Sequence, residues 1–262
     1  MVFFMRRFQS TGRRGRKHKV SFFTALTILV LCYISLTQPI PQMVPVQFAP
    51  SIMEPLPMPR KQSTLDRYLV KPPKDVPYVA LTFDDGPTEY TEALLDTLDQ
   101  MEVQATFFLI GEQIEDYTHV VRRMDEAGHD IGNHTHRHAV LTSDVVADDM
   151  RQIRLCEQAI KDITKRCTLF IRPPYDALSE DITEALGAAG YRICLYDVDS
   201  RDFFTSSQRR ILENLEDVKG GDIIRFHDGH IHPNTVKEII RTLREKGLEP
   251  VSLRRLITAN LS

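Results

Sequence analysis

From residue 78 to residue 258 the chain alternates short apolar runs with amphipathic stretches, and that alternation restricts the fold more than any other feature. Strand-like runs at 78–83, 105–110, 130–133, 169–171, 191–198 and 222–226 are separated by helical spacing at 89–101, 115–127, 143–163, 179–189 and 207–218. A helix over 234–246, stopped by Gly247, and a terminal helix at 252–258 complete the pattern. Strands taking turns with helices predict a parallel α/β sheet, with a distorted or incomplete (β/α) barrel as its expected form.

In such folds chemistry collects where the strands end. Asp84 and Asp85 follow the first strand, and His134 and His138 the third. Arg172 and Tyr175 follow the fourth, Asp199 and Asp202 the fifth, His227 and Asp228 the sixth. One strand-end histidine is usually a solvated or packed side chain. Polar or titratable residues after five strands predict a shared mouth. The first of these strands, Val79-Ala80-Leu81-Thr82-Phe83, runs straight into two carboxylates and a Gly86-Pro87 turn. Buried anions without partners cost several kcal/mol, so partners are expected.

His134 and His138 stand four apart, the spacing that sets two imidazoles on one face of a helical turn. With one carboxylate they form a two-His, one-Asp set that leaves positions for water, an arrangement of catalytic rather than structural metal sites. His136 is expected at the surface. A metal-activated water needs a base and an acid. The second carboxylate of the Asp pair suits the base, and His227 the acid. Arg172 and Asp202 can orient them. Pro173 and Pro174 lack N–H groups, so Tyr175 offers the first backbone donor beside that bend, where an oxyanion would need one. The expected chemistry is metal-assisted hydrolysis of an acyl bond.

Over residues 77–258 these stretches resemble the polysaccharide deacetylases, the carbohydrate esterases (family 4) with a NodB homology domain. Thr82-Phe83-Asp84-Asp85-Gly86 is similar to the family's first motif, which implies Asp84 as catalytic base and Asp85 as metal ligand. His134-Thr135-His136-Arg137-His138 resembles the second, whose outer histidines complete the metal site. Arg172-Pro173-Pro174-Tyr175 resembles the third, with the Arg steadying the base and the Tyr N–H forming the oxyanion hole. Asp199-Ser200-Arg201-Asp202-Phe203 and Arg225-Phe226-His227 are similar to the fourth and fifth. They imply that Asp202 tunes the catalytic histidine and that His227 is the general acid. The resemblance implies a barrel of the NodB type and a divalent metal, zinc first, with Co2+, Ni2+ or Mn2+ as alternatives. The implied substrate is an acetylated polysaccharide, with N-acetylglucosamine polymers such as peptidoglycan or chitin favoured. O-acetyl esterase action on xylan-like polymers, or a membrane-tethered carbohydrate-binding protein without strong turnover, are the competing readings.

Three residues depart from the family pattern. Phe203 replaces a Trp, in a chain with no Trp at all. Asp176 follows Tyr175 where Gly is common, and Asp tolerates left-handed backbone better than most residues. Arg225 replaces an apolar residue of the acetyl-methyl pocket. Facing the site, it would bind an anion or obstruct the methyl, and its charge would lower the pKa of His227; facing outward, it would do neither. On the first alternative, Arg225→Leu is expected to raise turnover.

Outside the body, residues 1–19 hold seven Lys or Arg and no acid. Removing those seven charges from the overall −3 leaves −10 on the rest, so the basic stretch is a tail and no nucleic-acid partner is expected. Residues 20–37 form an uncharged apolar run, ~26 Å long over 20–36 as a helix at ~1.5 Å per residue, enough to span a membrane. With Arg13, Arg14, Arg16, Lys17 and Lys19 held in the cytoplasm, the body would lie on the far side. A signal anchor is favoured over a cleaved signal peptide, which would give a secreted protein. Residues 38–76 read as a linker, with seven prolines between 38 and 60 that favour extended chain. The four cysteines, Cys32, Cys156, Cys167 and Cys194, show no CxxC spacing and are expected as buried free thiols. A monomer is expected.

Overall fold

The computed structural model of the protein describes residues 64–142 and 145–259. The basic tail, the apolar run 20–37 and the linker up to residue 63 lie outside the described residues, as do Ser143 and Asp144 at the start of the helix expected over 143–163. Among the described residues no helix is long and apolar enough to cross a membrane.

Among the described residues the eight strands are β1 (Tyr78–Gly86), β2 (Thr106–Leu109), β3 (Asp130–Asn133), β4 (Phe170–Ile171), β5 (Arg192–Ile193), β6 (Val198–Asp199), β7 (Ile223–His227) and β8 (Glu249–Val251). All pair in parallel, in the order β5-β4-β3-β2-β1-β7-β6, with β8 beside the opening end of β1. The helices are α1 (Thr64–Tyr68), α2 (Thr91–Gln100), α3 (Thr118–Glu126), α4 (Val146–Thr164), α5 (Glu180–Ala188), α6 (Gln208–Asn214), α7 (Pro233–Glu245) and α8 (Leu253–Ile257). The result is the expected incomplete barrel, a parallel sheet curled but not closed.

Strand β1 is buried on both faces, which is why its sequence is a continuous apolar run. Val79, Leu81 and Phe83 join the cluster formed with the helices, including Leu94, Leu98, Ile239 and Ile240. Phe83 stacks between Phe107 and Phe226, with ring centroids at 5.2 and 5.3 Å. Truncating such a core Phe to Ala costs about 3–5 kcal/mol. The alternate residues Ala80, Thr82 and Asp84 face the hollow of the curl. There Ala80 lies in an apolar floor with Phe108, Phe170, Cys194 and Ile223. Strand alternation thus grades the interior from apolar at the floor to charged at the mouth.

The run 191–198 is not the single strand expected. It contributes two residues to β5 and begins β6, at opposite edges of the sheet, and residues 194–197 cross the open seam between them. Eight residues rich in apolar and aromatic side chains fit the strand pattern whether or not their middle pairs, so the break is set by where the curl stops. The last part of the expected linker also belongs to the body. Leu65, Tyr68 and Leu69 pack against the cluster of Ile182, Leu186 and Ile193, and Val70 N–H donates to Ile193 O at 2.7 Å. This segment covers the free edge of β5, which would otherwise expose unpaired backbone. Strand β8, absent from the expected elements, contains Pro250, a residue tolerated only where a ladder bond is not required.

Candidate active site

Neighbouring residues of a regular strand point to opposite faces, so Asp84 and Asp85 should not serve one site. A bulge resolves this. The β1–β2 register shifts between Phe83 and Gly86, and Asp85 sits in left-handed backbone at φ 67°. The extra residue turns Asp85 back toward the mouth that Asp84 already faces. Gly86 is needed next, because a Cβ there would lie 2.5 Å from Asp228 Oδ2.

Asp84 is held from below by Arg172, the largest fully buried side chain. Arg172 Nη1 donates to Asp84 Oδ1 at 2.8 Å and to Thr82 Oγ1 at 2.7 Å. Its Nε and Nη2 donate to the carbonyls of Cys194 and Leu195, both at 3.1 Å, and the guanidinium lies 4.3 Å from the Phe108 ring centre. One side chain therefore pairs the carboxylate and satisfies the backbone where it crosses the seam.

His134 and His138 do not lie on a helical turn. They flank an irregular bend in which Thr135 and His138 take positive φ, 67° and 52°. Asn133 Oδ1 accepts from Thr135 N–H and shapes the bend. Both rings still reach Asp85: His134 Nε2 is 3.3 Å and His138 Nε2 3.2 Å from Asp85 Oδ1. Asp85, His134 and His138 each offer a ligand atom, all within 4.8 Å of one another. His136 is half-buried against Gly111 rather than at the surface.

This donor set suits a divalent cation. His134 Nδ1 lies 2.7 Å from Arg172 O, which can only accept, so Nδ1 is the donor there and Nε2 is the atom left to face a cation. Asp85 Oδ1 is buried and has no hydrogen-bond partner. Two ring nitrogens and a carboxylate oxygen converging on one point form the kind of donor set that a cation would complete. Burial on its own would raise the pKa of Asp85, but whenever His134 and His138 carry protons on Nε2 their bonds and charge override it and hold the carboxyl well below the usual range.

On the far side of the mouth His227 Nδ1 lies 2.8 Å from Asp202 Oδ1, and His227 N–H donates to Asp202 Oδ2 at 2.7 Å. Asp202 is buried and also accepts from Ser200 Oγ at 2.9 Å. Burial opposes protonation of His227; the bond and charge of Asp202, with Asp84 and Asp85 adding, outweigh it and hold its pKa above the ordinary histidine value. The Phe203 ring lies 5.5 Å from that of His227 and 4.6 Å from that of His230.

A cleft of about 550 Å³ is lined by Asp84, Asp85, His134, His138, Tyr175, Phe203, Arg225 and His227, while Arg172 and Asp202 stand behind it. Tyr175 has left-handed backbone (φ 58°, ψ 16°), and its hydroxyl is 3.1 Å from His138 Nδ1. Asp228 does not join the cleft. Its carboxylate accepts from Thr88 Oγ1 and Thr91 Oγ1 at 2.9 and 2.6 Å and ties the end of β7 to the start of α2. Phe204, 80% exposed, lines the cleft unforeseen; its position beside Phe203 was the only signal. Cys156 and Cys194 are buried free thiols as expected, but Cys167 is exposed.

Arg225 lines the cleft with its charge already engaged. Its Nη1 donates to Asp176 Oδ2 at 3.1 Å, its Nη2 to Asp199 Oδ2 at 2.8 Å, and its guanidinium lies 3.7 Å from the Tyr196 ring centre. The expected depression of the His227 pKa by Arg225 is therefore not found: two carboxylates offset the guanidinium, the pKa of His227 is raised, and the gain in turnover expected of Arg225→Leu loses its physical basis.

An open parallel α/β barrel with a buried Arg–Asp pair and a His–Asp pair at one mouth is a candidate acid–base centre beside a candidate metal site. The family model for polysaccharide deacetylase matches residues 71–194. The chain is 37% identical over 191 residues to a chitin deacetylase of Pestalotiopsis sp, a match covering 66% of this chain and 61% of that one. It is 36% identical over 194 residues to a peptidoglycan-N-acetylglucosamine deacetylase of Bacillus cereus, covering 71% of this chain and 70% of that one. The crystal structure of the Bc1960 peptidoglycan N-acetylglucosamine deacetylase superposes with a TM-score of 0.69 at 34% identity, covering 73% of this chain and 92% of that one. The chain belongs to the polysaccharide deacetylase family.

Proposed function

We propose that this protein hydrolyses acetyl groups from an N-acetylglucosamine-containing polysaccharide, acting outside the cytoplasmic membrane to which residues 20–37 tether it. One observation carries the catalytic part: Asp84, Asp85, His134, His138 and His227 converge on one cleft with both acid–base residues backed by buried partners. Asp85, His134 and His138 would hold the metal, with zinc preferred for an open set of two imidazoles and one carboxylate. When bound, the ion supplies Lewis-acid polarisation of the acyl group and lowers the pKa of a water.

The chain's own residues do the rest. Asp84, kept in place by Arg172, takes the proton from the attacking water. The backbone N–H of Tyr175 takes no part in the two turn bonds, which Asp176 and Ala177 donate to the carbonyls of Pro173 and Pro174. It is the donor we assign to the developing oxyanion. His227, kept protonated by Asp202, gives its proton to the departing amine. Phe203 and Phe204 offer exposed aromatic faces for sugar rings. The test is acetate release by the full-length protein from acetylated chitooligosaccharides, peptidoglycan fragments and acetylated xylan, with and without a chelator. Release from the N-acetylglucosamine substrates that a chelator abolishes is expected. Carbohydrate binding without release would replace this reading with that of a binding protein.

A further inference from the structure

Tyr175 and Asp176 hold left-handed backbone in succession, at φ 58° and 56°, a conformation that L-residues other than Asn and Asp disfavour. Such a conformation persists only where the surroundings over-determine it. Here the surroundings come from the other side of the open seam. Asp176 Oδ2 accepts from Arg225 Nη1 at 3.1 Å and from the Tyr196 hydroxyl at 2.7 Å. Burial, then the bond to Asp176, pushes the Tyr196 hydroxyl up to about 12, so it stays a donor at neutral pH. Arg225 is in turn fixed by Asp199 and by the Tyr196 ring. The turn after β4 is thus gripped from the crossing segment, from β6 and from β7.

We propose that Arg225 and Asp176 form a positioning clamp that fixes Tyr175, and with it both the backbone N–H assigned to the oxyanion and the hydroxyl beside His138. The inference rests on the hydrolytic reading for the first of these roles. Arg225 is a positioning residue: it acts through Asp176 on the residue before it.

Two full-length variants test the clamp, Arg225→Leu and the double variant Arg225→Leu/Asp176→Gly. The single variant leaves the Asp176 carboxylate without its cation and the left-handed turn with one brace fewer. Glycine at 176 adopts positive φ without a brace and leaves no unpaired carboxylate, so the double variant depends on the clamp less than the single one, with only Tyr175 still in left-handed backbone. In Arg225→Leu, hydrogen exchange of the 173–178 amides should quicken, and kcat for acetate release should fall about tenfold with KM changed by less than about twofold. The double variant should recover most of the lost kcat. Wild-type local exchange and kcat in Arg225→Leu would overturn the clamp, as would a double variant no better than the single one. A lowered melting temperature without the split between kcat and KM would also overturn it, because that marks a merely structural contact. If the wild type releases no acetate, the hydrolytic reading fails, and the exchange comparison alone decides the clamp.

Discussion

Arg172→Met removes the cation that pairs with Asp84 beneath the mouth. Arg172 is 0% and Asp84 2% exposed, so the carboxylate left behind cannot turn to water. Breaking a buried ion pair by deleting one partner costs about 3–5 kcal/mol. The carbonyls of Cys194 and Leu195 lose their donor in the same substitution, which puts the expected loss at the upper end of that range. Against a total stability of about 5–15 kcal/mol this is a large fraction. At about 2–4 °C per kcal/mol for a domain of this size, the melting temperature should drop by roughly 6–20 °C. Urea unfolding with linear extrapolation measures the free energy directly. The double variant Arg172→Met/Asp84→Asn removes the stranded charge as well, and should be less destabilised than the sum of the singles by about 2 kcal/mol or more. Arg172→Lys should fall between wild type and Met, since an ammonium cannot fork to Asp84, Thr82 and two carbonyls together. A loss below about 1 kcal/mol in Arg172→Met, or strict additivity in the double variant, would refute the view that this pair supports the mouth.

Three further outcomes follow from the site. Asp84→Asn is expected to retain the metal and lose turnover by about 10²–10⁴-fold, whereas Asp85→Asn loses the metal; elemental analysis beside acetate release would expose exchanged roles. His134→Ala leaves two ligands of the cluster, so its metal content should drop well below that of the wild type, and one tight equivalent retained would sink the ligand assignment. Asp202→Asn removes the charge that raises the His227 pKa against burial. Because His227 must be protonated to act as acid, the alkaline limb of the rate profile should move to lower pH by about 1–2 units; an unmoved limb would mean that another group sets it.

Much of this fold was open to reading because parallel sheets bury both faces: β1, β2 and β7 appear as apolar runs with polar ends, and the ends locate the mouth. The bulge at Asp85 was not readable. Adjacent carboxylates are compatible with opposite faces, and only the lost register shows both turned one way. Nor was the seam, since 191–198 satisfies a strand pattern throughout, and the break depends on how far the sheet curls. The end of the expected linker was not readable either, since what defines the boundary is the free edge of β5 that residues 64–70 cover.

Arg225 is different: the sequence reading leaves its direction open, and the structure shows it following strand alternation. It stands two residues before His227 on one strand, so if His227 faces the mouth Arg225 faces it too. What alternation could not supply is the partner. Asp176 lies 49 residues earlier, and each of the two residues departs from the family pattern by itself. A lone arginine in that wall implies an exposed charge, and a lone aspartate after Tyr175 implies a tolerated turn. Ion-paired at 3.1 Å, they are a single substitution of one device for another, a clamped turn where glycine would turn freely. Departures at two separate motifs therefore weaken the case for catalysis only while they are counted separately; once paired, they leave the Tyr175 N–H held in place beside a complete set of acid, base and candidate metal ligands.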